Sequence, residues 1–361
     1  AIMKEKNKKL ILGMIRKERC SRAAIAERTG LTRASVTMLV EELIADGFVL
    51  ETEAQYSGVG RRPINLELCP EGGLAIGVAL TRNGWSVGMT DLCGQLIQPE
   101  KHGSVKHPVN EVLQQIAEAI KQLVKIKENS RILGVGVASP GPVDYRMNQI
   151  LNPPNFGAWH GAEIGKRLSE MCGVAVRLEN VSNASALAEA YFGECTNEEN
   201  YCYLIVDEGI GSGIVVNGKL YRGKNGYGSE LGHTSIDYKG RACECGNIGC
   251  LELTCSGKYL EKVQESYFSD TDISQIFVQH GNHSVIRDFV DNIAAAIAVE
   301  VNILDPDCVV LGGGVLQMEA FPFDDLLQAL KRHVRKPYPC NSLNVCKAVP
   351  DGLAGVKGAG R

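Results

Sequence analysis

A chain of 361 residues, 44% hydrophobic and 22% charged, has the make-up of an ordinary globular protein with room for a small module and a larger body. No apolar run is long enough to span a bilayer, no secretory leader is evident, and the 13 cysteines mostly stand singly in apolar stretches, as Cys202 and Cys308 do; membrane and disulfide-scaffold classes are excluded and a cytoplasmic location is expected. The net charge of −4 hides an asymmetry, because residues 1–65 hold 12 Lys or Arg against 8 Asp or Glu, so a polyanion would meet only the head of the chain.

In chain order, Leu10, Ile11, Met14 and Ile15 are spaced for a helix over residues 8–16. Ser21 is placed to cap a second helix over 22–29, and Gly30 supplies the turn where φ must be positive. Thr32 caps a third helix over 33–46, with Val36, Leu39, Val40 and Leu43 as its buried stripe and Gly47 at its end. Helix, tight turn, helix is the plan of a DNA reader. Thr32, Arg33, Ser35 and Thr37 would then face base edges and phosphates from the start of the third helix. Strands are predicted over 48–51 and 64–68, and the glycine-rich strap between them carries Arg61 and Arg62, suited to a minor groove. Residues 1–70 therefore read as a winged helix-turn-helix domain that binds double-stranded DNA. The alternative for the same residues is a three-helix protein-interaction module with a solvated basic loop.

Beyond Pro70 the pattern becomes α/β. Strands are predicted over 74–80 and 85–91, an amphipathic helix over 111–127, and strands over 132–138 and 174–178. A second set follows: strands over 203–206 and 213–216 with the hairpin turn Asn217-Gly218, a long helix over 286–304, a strand over 308–311 and a helix over 323–334. Two successive units of this kind suggest duplicated lobes with a cleft between them.

Several segments, in order, resemble the ROK family (repressor, open reading frame, kinase), especially its xylose- and N-acetylglucosamine-repressor branch. They are Gly60-Arg-Arg-Pro63, Pro140-Gly-Pro-Val143, Asn152-Pro-Pro-Asn155, Glu179-Asn180, Glu230-Leu-Gly-His233, Cys243-Glu-Cys-Gly-Asn-Ile-Gly-Cys250 with Glu252, and Leu311-Gly-Gly-Gly314. The resemblance implies an actin-like, hexokinase-type fold over residues 71–361, in two lobes of about 71–190 and 191–361, with a metal loop at 233–252. It also implies sugar contacts at Asn155, Asn180, Glu230, His233 and Glu252. Independently, one imidazole and three thiolates, His233, Cys243, Cys245 and Cys250, complete a tetrahedral set for a structural Zn2+, one per chain.

The family's kinases need a glycine-rich hairpin with an acid for nucleotide phosphates and an Asp base after Glu-Asn. Here Ala79-Leu-Thr-Arg-Asn83 and Val181 occupy those places, and Asp207-Glu208 open the second phosphate loop, so no catalytic residue and no enzyme activity are expected. The expectation is a repressor of carbohydrate uptake or catabolism genes, a homodimer or homotetramer, answering to a sugar or sugar phosphate. Two alternatives stay open: control by a protein partner such as a sugar-transport component, and, fitting the residues worst, a working sugar kinase.

Overall fold

The computed structural model describes residues 2–53, 64–127, 130–337 and 341–348. Arg61 and Arg62 lie outside the described residues. Two compact units partition the chain: residues 1–137 with 165–177, and residues 138–164 with the described part of 178–358.

The first unit opens with helices α1 (Ile2–Lys17), α2 (Arg22–Thr29) and α3 (Arg33–Ala45) and the antiparallel strands β1 (Val49–Glu53) and β2 (Ile64–Leu68). Both expected caps form. The Ala24 amide donates to Ser21 Oγ at 3.3 Å and the Ser35 amide to Thr32 Oγ1 at 3.1 Å, while Gly30 adopts φ 69°. Ile11, Ile15, Ile25, Val36, Leu39, Val40, Leu43 and Leu66 make one small core. Helix α1 starts six residues earlier than its apolar spacing predicts. Lys4 and Lys8 reach Glu42, at 2.6 and 3.0 Å, and so extend a polar first turn that no apolar contact would hold.

A five-stranded sheet follows, made of β3 (Leu74–Leu80), β4 (Gly84–Thr90), β5 (Leu96–Ser104), β6 (Ile132–Ser139) and β9 (Val176–Asn180), in the order β5-β4-β3-β6-β9. Helix α4 (Val109–Ile126) buries Val112, Leu113, Ile116, Ile120 and Leu123, the face its periodicity indicates. Helix α5 (Ile164–Cys172) precedes β9.

The second unit begins with the short hairpin β7 (Val143–Asp144) and β8 (Gln149–Ile150). Helix α6 (Val181–Phe192) leads to β10 (Tyr201–Val206), β11 (Ile210–Val216) and β12 (Lys219–Leu220). Helices α7 (Glu252–Cys255), α8 (Gly257–Tyr267), α9 (Ile276–His280) and α10 (Ser284–Leu304) come next, then β13 (Cys308–Gly312), α11 (Phe323–His333) and β14 (Asn344–Lys347). The sheet order is β12-β11-β10-β13-β14. In both sheets the strands run third, second, first, fourth, fifth by order of appearance, which is the duplication expected from the two strand-hairpin-helix sets. The apolar side of α10, with Ile286, Phe289, Ile293 and Ile297, packs on Leu204, Val206, Val309 and Leu311 of the sheet. Among the described residues no helix is long and apolar enough to cross a membrane.

Candidate functional site

The loop over 233–252 brings four ligand atoms together. His233 and the thiols of Cys243, Cys245 and Cys250 all lie within 4.8 Å of one another. Cys243 Sγ stands 3.8 Å from His233 Nδ1, and Cys245 Sγ 3.6 Å from Cys250 Sγ. Bonds of about 2.3 Å to sulfur and about 2.0 Å to nitrogen put tetrahedral edges at about 3.5–3.8 Å, which these two pairs meet, while the whole set lies within 4.8 Å. Backbone turns produce it. The Gly246 amide donates to Cys243 O at 3.0 Å and the Cys243 amide to Asn247 O at 2.8 Å, closing the Cys-x-Cys step. Gly249 sits at φ 65° against the Asp237 carbonyl, where a Cβ would overlap that oxygen. Burial and the neighbouring thiols push Cys250 up to about 12, and burial raises Cys243, so both favour the neutral thiol. A divalent ion reverses that preference. The four groups can hold a metal ion.

All five residues expected to contact sugar fall in the second unit. Asn180 caps α6, its Oδ1 accepting from the Ser182 amide at 2.8 Å, and a Cβ on Gly141 would overlap its side-chain amide. Its neighbour Glu179 accepts from Arg222 Nε at 2.7 Å and from Asn183 at 3.0 Å, and the Arg222 guanidinium lies over the Tyr145 ring at 4.9 Å. Glu230 opens the turn that carries His233, whose amide donates to the Glu230 carbonyl at 3.1 Å. Burial, and then the nearby Glu252 carboxylate, raise Glu230 to about 7. Glu252 is pinned under the 207–213 loop, accepting from the Ile210 amide at 3.1 Å. Asn155, at φ 57°, accepts from Lys258 Nζ at 3.1 Å. Glu230, His233 and Glu252 thus share one loop system, while Asn155 pairs with Lys258 and Asn180 adjoins the Glu179–Arg222 pair. Sequence reasoning missed Arg222, Lys258 and Tyr227, whose hydroxyl donates to Asn152 at 2.8 Å. No spacing rule marks them; only the positive-φ glycines Gly223 and Gly226 announce a shaped loop around Arg222 and Tyr227.

The turns at 81–84 and 207–209 are closed by their own side chains and backbone. The Thr81 hydroxyl accepts from the Gly84 amide at 3.0 Å and from the Asn83 amide at 3.3 Å, closing its own turn. Asp207 Oδ1 accepts from the Gly314 amide at 3.2 Å, and burial raises this carboxyl above its ordinary range. Val181 is the first residue of α6, directly after the capping Asn180.

At the head of the chain, Thr32, Arg33, Ser35 and Thr37 stand together at the start of α3, as its capping signal places them.

Known proteins resemble this chain along most of its length. The ROK family model matches residues 75–361, and the winged helix-turn-helix DNA-binding model matches residues 4–49. The xylose repressor of Caldicellulosiruptor bescii is 30% identical over 336 residues, covering 86% of this chain and 84% of that one. The glucokinase of Thermotoga maritima is 30% identical over 280 residues, covering 72% of this chain and 87% of that one. Among solved structures, a ROK family transcriptional regulator, homolog of the Escherichia coli MLC protein, aligns with a TM-score of 0.79 at 24% identity, over 94% of this chain and 90% of that one.

Proposed function

Because the chain belongs to the ROK family and carries a winged helix-turn-helix ahead of its ROK domain, we propose that it is a transcriptional repressor of carbohydrate uptake or catabolism genes, working in the cytoplasm. Residues 1–70 read a duplex operator as part of a homodimer or homotetramer, and Thr32, Arg33, Ser35, Thr37, Arg61 and Arg62 make the contacts. Residues 71–361 sense a sugar or sugar phosphate through Asn155, Asn180, Glu230, His233 and Glu252. Amides and carboxylates pair well with ring hydroxyls.

One observation carries the reading: α6 begins with Val181, a side chain unable to take a proton where a kinase of the family needs its base. Asp207 supports it, since a buried carboxyl on the Gly314 amide opposes a phosphate there. The sugar site outlives the chemistry, and occupancy becomes the signal. A sugar shifts the balance between DNA-binding and free states by the difference of its affinities for the two.

One structural Zn2+ per chain belongs to this reading, held by His233, Cys243, Cys245 and Cys250. The ion would offset two of the three thiolate charges and fix the loop that carries Glu230 and Glu252. With Nδ1 turned to the thiols, the His233 ring keeps Nε2 to donate to a sugar oxygen.

The test is a duplex enriched by in vitro selection on the full-length chain, followed by anisotropy titration with sugars and sugar phosphates. Release by one of them is the expected result. Indifference to the whole panel, with release by a sugar-transport component instead, would replace the small-molecule reading. Sugar-dependent ADP formation from ATP would overturn the non-enzymatic one.

A further inference from the structure

The outer surface of α3 carries apolar side chains among its polar ones. Its hydroxyls are turned inward on the helix itself. Thr32 Oγ1 accepts the Ser35 amide at 3.1 Å and lies 2.8 Å from Ser35 Oγ, while the Thr37 hydroxyl donates to the Arg33 carbonyl at 2.9 Å. Over its first two turns the helix exposes Arg33, Ala34 and Met38, with Glu41 exposed beyond them. Met38 is 51% exposed, although Val36, Leu39, Val40 and Leu43 around it are all buried. About half of its surface is thus left for a partner. Ala34 and Met38 stand four residues apart, so they share one stripe of the surface.

Among the groups that bases show in a major groove, only the thymine C5-methyl is apolar. The winged helix-turn-helix match over residues 4–49 points this helix at a duplex, and exposed Arg33 at its start has no ion-pair partner among the described residues. We propose that Ala34 and Met38 read thymine methyl groups, so that apolar contact adds specificity at the centre of each half-site beside the polar contacts of the helix start. Four residues advance a helix by about 6 Å, and stacked bases by about 3.4 Å each, so the two thymines lie about two base steps apart. Arg33 supplies attraction and register at the helix start, and exposed Glu41, one turn beyond Met38, keeps the far end off the phosphates.

This inference rests on the DNA-binding reading above, and one experiment separates the two. The duplex selected by the full-length chain is resynthesised with single thymine-to-uracil replacements, each removing one methyl and nothing else, and affinities are measured at fixed salt. Two replacements about two steps apart are expected to weaken binding about three- to fivefold each, the worth of one buried methyl. Met38→Gln, equal in length and helix preference, is expected to abolish the uracil effect at one position and leave the other. A selected duplex that tolerates every uracil within twofold, or a Met38→Gln variant with both effects intact, overturns the thymine inference alone. If no duplex is enriched, the DNA-binding reading falls and takes this inference with it.

Discussion

Glu300 projects from α10 into the core of the second unit, only 5% exposed, with the Ser212 hydroxyl and the Cys202 thiol as polar neighbours. Burial pushes its carboxyl from 4.5 to about 7, and those neighbours offset only part of the effect. The unfolded chain ionises this group near 4.5 while the folded chain still holds the proton, so stability falls as pH rises from about 4.5 to about 7. The penalty is at most about 3 kcal/mol and is complete above pH 7. Glu300→Gln is expected to flatten that stretch of the pH profile and to melt higher than the parent at pH 8. Parallel pH profiles of the two proteins in thermal melts would refute the assignment. Nothing in the run Ala298-Val-Glu-Val301 distinguishes an inward glutamate from a surface one, because apolar neighbours surround it on both sides in sequence. Ser21, Gly30 and Thr32 were readable for the opposite reason: capping and positive φ are settled within four residues of the chain. The inward turn of the Ser35 and Thr37 hydroxyls is a choice among rotamers, and residue type leaves that choice open.

The metal loop depends on backbone shape as much as on its thiols. An alanine at Gly249 would overlap the Asp237 carbonyl and would also hold a side chain at φ 65°, so Cys250 could not complete the set. If the loop holds the proposed zinc, Gly249→Ala is expected to bind only a small fraction of what the parent binds and to melt several degrees lower, with elemental analysis and calorimetry as the measures. Full zinc content in this variant would mean that the loop closes another way. Ligand spacing made this element visible in the sequence, whereas α6 and β5 were not seen. Helix α6 buries the small residues Ser182, Ala184, Ser185, Ala186 and Ala188 together with Asn183 and Glu189, and that mixture gives no apolar period. They are there because β11 comes close: a Cβ on Gly213 would overlap the Ser182 carbonyl. Strand β5 lies at a sheet edge and contains Pro99, and neither alternation nor β-propensity survives there.

Seen as a whole molecule, the chain follows one rule that its sequence carried openly: a reading head and a sensing body with separate cores, the head basic and the body acidic. The duplicated strand order was half visible, since hairpins announce themselves through Asn217-Gly218 and alternation, while the returning strands are named only by their place in the sheet. If sugar binding and duplex binding draw on one equilibrium between two states, their coupling is reciprocal. A sugar that weakens duplex affinity by some factor must find its own affinity weakened by the same factor when the selected duplex saturates the protein. A coupling of about 1–3 kcal/mol, or about 5- to 150-fold, is the usual range for such linkage. The expected result is equal factors from two titrations, calorimetry of the sugar with and without duplex and anisotropy of the duplex with and without sugar. Glu230→Gln should weaken the sugar in both of its titrations and leave the sugar-free duplex affinity within twofold, because Glu230 belongs to the sensing body alone. Unequal factors would mean that a further species, a protein partner or a change of oligomer, carries part of the signal, and a Glu230→Gln variant defective on bare duplex would mean that the body sets the grip of the head even when no sugar is bound.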